Sequence, residues 1–205
     1  LNSFVNFFKI FKKYLDKDQV IIIRSSVYPN ICKKIYKIIK DKCENLSYCP
    51  ERIVQGQALK ELPNLPQLVS GFNNHSIYES GKFFKKIWKK IIYTEVLEAE
   101  LVKLFSNAYR YIHFSISNQF YMICKKENLD YEKVRNIMRD GYSRNTNIPS
   151  SGFSAGPCLL KDTMQLSSFY NNRLPLGYSA MKVNQGMPSF IVKELEKKYD
   201  LKKKT

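Results

Sequence analysis

The chain has 205 residues, of which 44% are hydrophobic, so it can bury the core of one large domain or parts of two. Its 34 lysines and arginines exceed its 18 acidic residues, which gives a formal net charge of +16 at pH 7. This composition excludes a disordered chain but leaves open a helical nucleic-acid-binding protein driven by its basic charge. The lysines are spread through every segment, without an arginine cluster or a nucleic-acid module. We therefore expect no nucleic-acid partner, and an anionic small molecule such as a nucleotide is the better expectation.

The cysteine and histidine content argues against metal and disulfide sites. The five cysteines are widely spaced and include no Cys-x-x-Cys pair, and His75 lies far from His113. We expect no bound metal. The chain opens without a secretory signal, and it has no apolar run long enough to span a bilayer. We therefore expect a cytoplasmic protein without a membrane partner.

Short helices and strands alternate in the first part of the chain. Leu1 to Leu15 has apolar residues at helical spacing, and Gln19 to Arg24 is a β-branched run typical of a strand buried on both faces. A helix is predicted over residues 31–42 and a second strand near residues 46–49. This alternation favours a parallel α/β sheet.

Polar residues follow each of these predicted strands. Ser25 and Ser26 come after the first strand, and Glu51 comes directly after the second. Ligands of parallel sheets bind at the carboxyl ends of the strands, which makes these residues candidates for a binding site. From spacing alone, however, Glu51 is most simply a surface carboxylate on a loop.

The next segment contains a strand and a basic helix. Gln67 to Gly71 is predicted to be a strand, and Ile77 to Ile92 a helix around Trp88. Its five lysines are most simply a solvated face, formed by Lys82, Lys85, Lys86, Lys89 and Lys90.

Longer helices follow, because no glycine or proline occurs between Lys82 and Asp140. A domain boundary is expected near Tyr93, with Thr94 as the N-cap of a helix that continues to about Lys125. A helix of this length usually forms the spine of a bundle or a subunit interface.

Two polar residues of this long helix are candidates for catalysis. Lys103 and Asn107 are four residues apart and so point the same way, with Glu100 one turn before Lys103. Lysine and amide donors on one face could stabilise an oxyanion. An ordinary polar helix face explains the same spacing.

The last part of the chain is predicted to hold three more helices. Asp130 can cap a helix over Tyr131 to Arg139, a loop containing Arg144 follows, and a final helix runs over residues 176–199. Between these lies a helix that begins near Pro157, since proline suits the first helical position.

Cys158 is placed at the start of that helix. Unpaired backbone N–H groups and the helix dipole favour a thiolate there, and Lys161 adds a positive charge one turn on. Asp162 lies one turn from Cys158 and could hold a water or a proton. The alternative is a buried structural cysteine at a helix start.

Four segments, in this order, resemble the UDP-glucose/GDP-mannose dehydrogenase family, the nucleotide-sugar dehydrogenases. They are Arg24 to Pro29, Pro50 to Gly56, Glu98 to Ala108, and Gly152 to Asp162. The resemblance implies an α/β fold: the latter part of a Rossmann-like NAD domain, followed by an all-helical central dimerisation domain. It places the partial NAD domain at residues 1–92, the central domain with its catalytic segment at 93–175, and a helix toward a carboxyl-terminal nucleotide-sugar domain at 176–205.

The resemblance also implies a reaction. Enzymes of this family oxidise a sugar primary alcohol to a carboxylate by two hydride transfers to NAD, and the cysteine forms a thiohemiacetal and then a thioester. Cys158 would be this nucleophile. Lys103 and Asn107 would stabilise the oxyanion and contact substrate, and Asp162 would help with proton transfer.

Further residues are assigned to binding by the same resemblance. Glu51 would contact the UDP-sugar and assist the base chemistry. Ser26 and Lys161 would lie near the NAD, and Arg144 would reach the nucleotide of a partner subunit in a homodimer formed through the central helix.

The sequence departs from the family pattern in two places. Gln55 stands where UDP-glucose enzymes commonly carry a second glutamate, which leans toward the branch that oxidises UDP-N-acetylhexosamines, such as the mannosamine enzyme. No Gly-x-Gly-x-x-Gly occurs, so we expect an internal fragment that is inactive alone. A basic nucleic-acid-binding protein and a structural dimerisation remnant are the alternatives.

Overall fold

The structure, a computed structural model, describes residues 2–54, 56–154 and 157–200. Gln55 and the Ala155-Gly156 turn, which the sequence predictions used, lie outside these ranges. The chain forms two compact units that divide after Phe105.

The first unit is a four-stranded sheet with helices, so the predicted α/β class is confirmed. Its elements are α1 (Asn2–Phe11), a 3-10 turn (Lys12–Tyr14), β1 (Ile21–Ile23), α2 (Ile31–Ile39), β2 (Leu46–Tyr48), α3 (Ala58–Glu61), β3 (Gln67–Gly71), α4 (Asn74–Lys85) and β4 (Ile91–Tyr93). The strand order is β1-β2-β3-β4. Only Ile23 of β1 is buried, rather than the whole strand as predicted, since β1 lies at the edge of the sheet.

The sheet is mixed, and the prediction of a parallel sheet is wrong in one pairing. β1 pairs parallel to β2, and β3 parallel to β4, but β2 and β3 are antiparallel. A parallel pair needs a crossover that returns the chain to the starting edge, usually a helix. The connection from β2 to β3 contains only the four-residue α3. As a result, β3 begins at the edge where β1 and β2 end.

The core of the first unit joins α1, α2 and β2. Val5 and Phe8 of α1 lie in one buried cluster with Ile35 and Ile39 of α2 and Tyr48 of β2. The spacings of three and four residues place each helical pair on one side of its helix. The helical spacing of apolar residues predicted for the first helix therefore includes positions that face the core.

The lysine-rich segment is shorter as a helix than predicted. α4 ends at Lys85, and residues 91–93 form β4, which pairs Ile91 with Gln67 of β3. The Ile-Ile-Tyr run has high strand propensity, and pairing with β3 satisfies its backbone. Trp88 lies in the connection between α4 and β4 and packs edge-on against Phe84, with 5.2 Å between the ring centres.

The long predicted helix is confirmed as α5 (Val96–Lys126). Thr94 does not cap it as predicted. Its hydroxyl donates to the carboxylate of Glu98, which also accepts the N–H of Glu95 at 3.0 Å. Glu98 therefore satisfies a backbone donor at the start of the helix, which is the role predicted for Thr94.

Glu100 ties the start of α5 to α2. Its side chain is 1% exposed, and its two oxygens accept the N–H groups of Asn30 at 2.6 Å and Cys32 at 3.0 Å. Backbone N–H groups at a helix start have no partner within the helix, and the helix dipole favours a carboxylate there. Burial, reinforced by the nearby Glu100 carboxylate, raises the pKa of the Cys32 thiol.

The described residues of the second unit form helices joined by loops, without a strand. The unit contains the rest of α5, then α6 (Tyr131–Arg139), a 3-10 turn (Ser143–Asn145), α7 (Pro157–Phe169) and α8 (Pro175–Glu196). Asp130 caps α6 as predicted, accepting the N–H of Glu132 at 2.9 Å. Tyr111, Leu159 and Ala180 form a buried cluster that joins α5, α7 and α8.

The described ranges contain no candidate for a membrane-spanning helix or for a metal site. None of their helices has both the length and the apolar character needed to cross a bilayer. Nor do these residues contain a group of three histidine, cysteine or acidic side chains placed to hold a metal.

Replacing Glu100 with alanine is expected to lower the free energy of unfolding by about 1–3 kcal/mol, because the N–H groups of Asn30 and Cys32 lose their acceptor. Glu100→Gln keeps one acceptor oxygen, so its free energy of unfolding should lie between those of the wild type and Glu100→Ala. Urea unfolding followed by Trp88 fluorescence measures this, since Trp88 is the single tryptophan. Glu95→Ala, at an exposed position, is the control and should change stability by less than about 0.5 kcal/mol. Equal effects of the two alanine variants would contradict the prediction.

Candidate active site

Two predicted site residues of the first unit lie at one edge of its sheet. β1 and β2 are parallel and paired from Ile21 to Ile23, so Ser26 and Glu51 both follow the carboxyl ends of adjacent strands. The N–H of Glu51 donates to the carbonyl of Arg24 at 3.0 Å, which extends the pairing beyond the strands. Ser26 is half-buried. This edge is where α/β sheets bind ligands.

The carboxylate of Glu51 is held in its ionised form. One oxygen accepts the N–H groups of Arg52 and Ile53, each at 2.8 Å, and the other pairs with the guanidinium of Arg24. Burial alone would raise the pKa of Glu51, but the Ile53 hydrogen bond and the Arg24 contact together outweigh it, and the pKa is lowered. An ionised carboxylate of lowered pKa is a good hydrogen-bond acceptor and a weak general base.

Arg24, predicted to end the first strand and begin the turn after it but given no role of its own, supports Glu51. Its guanidinium carbon lies 4.8 Å from the ring centre of Phe84 and 5.5 Å from that of Trp88. Its Nη1 also donates to Oε1 of Gln67 at 3.3 Å, which is possible because the antiparallel β3 begins at this edge. The sequence did contain a signal for this contact, because Arg24 and Glu51 carry opposite charges and follow two adjacent strands.

In the second unit, Asn107 and Asp162 meet in the interior. Nδ2 of Asn107 donates to Oδ2 of Asp162 at 2.6 Å, and the two residues are 6% and 0% exposed. They are 55 residues apart in the chain, so the contact comes from the packing of α5 against α7. A buried carboxylate is costly unless it is paired and hydrogen-bonded.

Lys161 pairs with Asp162. Its Nζ lies 3.0 Å from Oδ1, within ion-pair distance but outside hydrogen-bonding geometry, and its side chain is 48% exposed. The lysine expected to add positive charge near Cys158 therefore also compensates the buried carboxylate.

The polar face of α5 is not an ordinary solvated face. Glu100 and Asn107 are buried and hydrogen-bonded, and Lys103 between them is half-buried. A continuous helix places Lys103 one turn before Asn107, as predicted.

Cys158 is the second residue of α7 and is exposed. The other four cysteines, Cys32, Cys43, Cys49 and Cys124, are buried. Burial also raises the pKa of Cys49 to about 12. The alternative of a buried structural cysteine at position 158 therefore does not apply, and Cys158 is the accessible thiol among the five.

Among the described residues, Arg144 forms no hydrogen bond or ion pair with Asn107, Asp162 or Lys161. It is exposed in the 3-10 turn, and its Nη1 donates to the hydroxyl of Tyr142 at 3.1 Å. Each unit thus contains one group of predicted residues: Ser26 and Glu51 at the sheet edge, and Asn107, Asp162 and Lys161 between α5 and α7.

Comparison with known proteins gives matches to one family along most of the chain. Residues 1–92 match the sequence model of the UDP-glucose/GDP-mannose dehydrogenase family, NAD binding domain, and residues 97–186 match the central domain of the same family. UDP-N-acetyl-D-mannosamine dehydrogenase of Methanococcus vannielii is 31% identical over 87% of this chain and 41% of the relative. UDP-glucose 6-dehydrogenase of Rickettsia bellii is 26% identical over 89% of this chain and 44% of the relative.

A solved structure has the same fold. UDP-D-ManNAc dehydrogenase from Pyrococcus horikoshii superposes with a TM-score of 0.85 at 22% identity, covering 95% of this chain and 48% of that chain. The present chain thus spans less than half the length of these relatives.

The Asn107–Asp162 contact predicts an asymmetry between two substitutions. Asn107→Ala should lower the free energy of unfolding by about 1–3 kcal/mol, since it removes a hydrogen bond from a buried carboxylate. Asp162→Asn should cost less, because a neutral amide is cheaper to bury and can still accept from Asn107. Urea unfolding followed by far-ultraviolet circular dichroism tests this. A larger loss for Asp162→Asn would contradict the expected balance between burial cost and hydrogen bonding.

Proposed function

Because the chain belongs to the UDP-glucose/GDP-mannose dehydrogenase family, we propose that it is part of an enzyme that oxidises the primary alcohol of a UDP-sugar to a carboxylate with NAD. The observation that carries this proposal is the buried Asn107–Asp162 pair, which fixes α7 on α5 while Cys158 of α7 remains exposed. The arrangement combines an accessible nucleophile with a buried acid–base group one turn away. The names of the mannosamine relatives and the Gln55 departure favour a UDP-N-acetylhexosamine substrate.

The first unit fits one side of a dinucleotide site. The half-buried Ser26 follows the carboxyl end of β1, and the ionised Glu51 follows that of the adjacent β2. In the second unit, the Lys161 side chain is 48% exposed and carries a positive charge that suits an anionic cofactor. NAD would supply the hydride acceptor for both oxidation steps. The 205 residues include no glycine-rich pyrophosphate loop, so this chain alone is expected to be inactive.

Cys158 divides the oxidation into two steps. Its sulfur attacks the aldehyde carbon formed by loss of the first hydride, giving a thiohemiacetal. Loss of the second hydride gives a thioester, and water hydrolyses this to the carboxylate and the free thiol. Two hydrides leave the substrate carbon in total, each accompanied by a proton released from the oxygen to solvent, and the aldehyde stays bound to the protein between the steps.

Side chains of α5 and α7 stabilise the charges that develop. The ammonium of Lys103 and the amide of Asn107 lie one turn apart on α5 and serve as oxyanion donors. The amide carries two N–H donors, and Asp162 occupies one of them. Asp162 accepts a proton from the attacking water, with Lys161 balancing its charge.

Two further residues contact the substrate in this proposal. The Glu51 carboxylate accepts a hydrogen bond from a sugar hydroxyl, a role that suits its lowered pKa better than proton abstraction. Arg144 is exposed, so its guanidinium is available to the nucleotide of a second copy in a homodimer.

The function is tested by counting NADH. Two NADH should form per UDP-sugar oxidised, measured by absorbance on the full-length protein that the gene encodes, with UDP-N-acetylmannosamine and UDP-glucose as substrates. Cys158→Ala should abolish net oxidation, because no thioester can form. Cys43→Ala, which removes a buried thiol outside the proposed site, is the matched control and should retain the stoichiometry. The absence of NADH with every UDP-hexose and UDP-N-acetylhexosamine would refute the proposal.

The homodimer is proposed to form through an apolar stripe on α5. Tyr109, Ile116, Phe120 and Ile123 are between 37% and 60% exposed and recur at helical spacing along one side of α5. A stripe of this kind on one long helix is suited to pairing with the same helix of a second copy.

Ile116→Asp is therefore expected to convert a dimer to a monomer, because a carboxylate would be buried against an apolar stripe. Sedimentation equilibrium of the chain measures the change. Asn136→Asp adds the same charge at an exposed position of α6 and should remain dimeric. A wild-type chain that sediments as a monomer would contradict the proposed interface.

A further inference from the structure

The loop segment 149–152, which leads toward Cys158, is held by side chains of α5 and α6. Four bonds hold it: from Ser117 Oγ to the Pro149 carbonyl at 2.8 Å, from the Tyr131 hydroxyl to the same carbonyl at 3.4 Å, from Arg135 Nη2 to Ser150 Oγ at 2.7 Å, and from the Gly152 N–H to Asn118 Oδ1 at 2.8 Å. Loops usually lie on the surface with their backbone solvated. This segment instead has a fixed partner at three of its four residues.

The contact to Gly152 is the end of a longer series of hydrogen bonds. Nδ2 of Asn118 donates to Oδ1 of Asn184 at 2.9 Å, and Nδ2 of Asn184 donates to the carbonyl of Tyr111 at 3.0 Å. We call this series, Gly152 to Asn118 to Asn184 to Tyr111, the amide ladder. It connects the loop with α8 and with the backbone of α5.

The orientation of both amide groups is determined by the ends of the ladder. The Gly152 N–H can only donate and the Tyr111 carbonyl can only accept, so a reversed amide would place like groups against each other. Asn118 and Asn184 are 0% and 5% exposed. Buried polar networks of this kind specify one arrangement of the packed elements.

Gly152 depends on such support. Its φ of +154° lies in a region that glycine adopts readily and other residues rarely adopt. Because glycine has the greatest conformational freedom, an N–H bond to a buried side chain removes alternatives that the backbone alone would permit.

In the sequence, Cys158 lies between Gly152 and Leu159, and both of these residues are connected to Tyr111 of α5. On one side, Gly152 connects through the ladder to the Tyr111 carbonyl. On the other, Leu159, directly after Cys158, packs in the buried cluster with Tyr111 itself. The Asn107–Asp162 bond then fixes the next turn of α7.

We propose that Asn118 and Asn184 are positioning residues, whose ladder sets the place of the Cys158 thiol relative to α5. This inference rests on the proposed function, in which Cys158 is the nucleophile. Neither asparagine touches the reacting atoms in this scheme, and both act through the bond to the Gly152 N–H.

The test uses the thiol itself, so it requires neither NAD nor a UDP-sugar. The rate of alkylation of Cys158 by iodoacetamide is measured by mass spectrometry at fixed neutral pH, which is feasible because the other four cysteines are buried. Amide exchange at Gly152, measured by nuclear magnetic resonance, reports the ladder directly. The variants are Asn118→Ala, Asn184→Ala and the double variant. Met187→Ala, at a position 1% exposed on α8, is the control for general destabilisation.

Asn118→Ala should accelerate exchange at Gly152 by about two- to tenfold, as expected for the loss of one hydrogen bond. Alkylation of Cys158 should slow by about two- to fivefold, since a thiol that is no longer held relative to α5 spends less time in its exposed position. Asn184→Ala should act in the same direction, and the double variant should exceed Asn118→Ala by little, because both residues belong to one series.

Three outcomes would overturn the proposal. Unchanged exchange at Gly152 would show that the ladder does not hold the loop. Faster exchange with unchanged alkylation would show that it holds the loop without positioning Cys158. Equal slowing in Met187→Ala would assign the effect to stability alone. Each differs from failure of the proposed function, which would appear as an absence of NADH whatever the alkylation rates.

Discussion

Much of this structure depends on the hydrogen bonds that buried polar side chains of α5 form with neighbouring elements. Glu100 accepts the N–H groups at the start of α2, Asn107 donates to Asp162 of α7, and Asn118 joins Asn184 of α8 to the loop before Cys158. A polar side chain is buried at little cost only when its partners are in place. Each of these contacts therefore fixes a neighbouring element of the same unit against α5.

The buried polar side chains of α5 can hold neighbouring helices in place more precisely than apolar contacts can, although much of the rest of α5 is exposed. Apolar contacts alone tolerate small shifts, because they have no preferred direction. Hydrogen bonds from amides and carboxylates do have a direction, so they hold α7 and its exposed thiol in one place relative to α5. The first unit applies the same principle at its sheet edge, where Arg24 and two backbone N–H groups orient the Glu51 carboxylate.

Local signals in the sequence were strong where they came from spacing and capping. α6 with its Asp130 cap, β3, and the helix that begins at Pro157 were predicted because their signals lie within a few residues. β4 was missed, since Ile91 and Ile92 suit a lysine-rich helix equally well until β3 is present as a partner. The antiparallel β3 was missed because strand direction depends on how a connection packs, and residues 49–66 contain little regular structure to indicate it.

The sequence by itself determined the helical spacing of Lys103 and Asn107, the place of Cys158 at a helix start, and the resemblance to a family. These features depend on residue order and on local geometry. Only the tertiary structure decided that Cys158 is exposed while Asp162, one turn on, is buried against Asn107. It also decided that Arg24 contacts both Glu51 and Gln67, and that Asn118 bonds Asn184. Burial and long-range hydrogen bonds depend on which elements meet, and residues 55 or more positions apart leave no local pattern that reveals their contact.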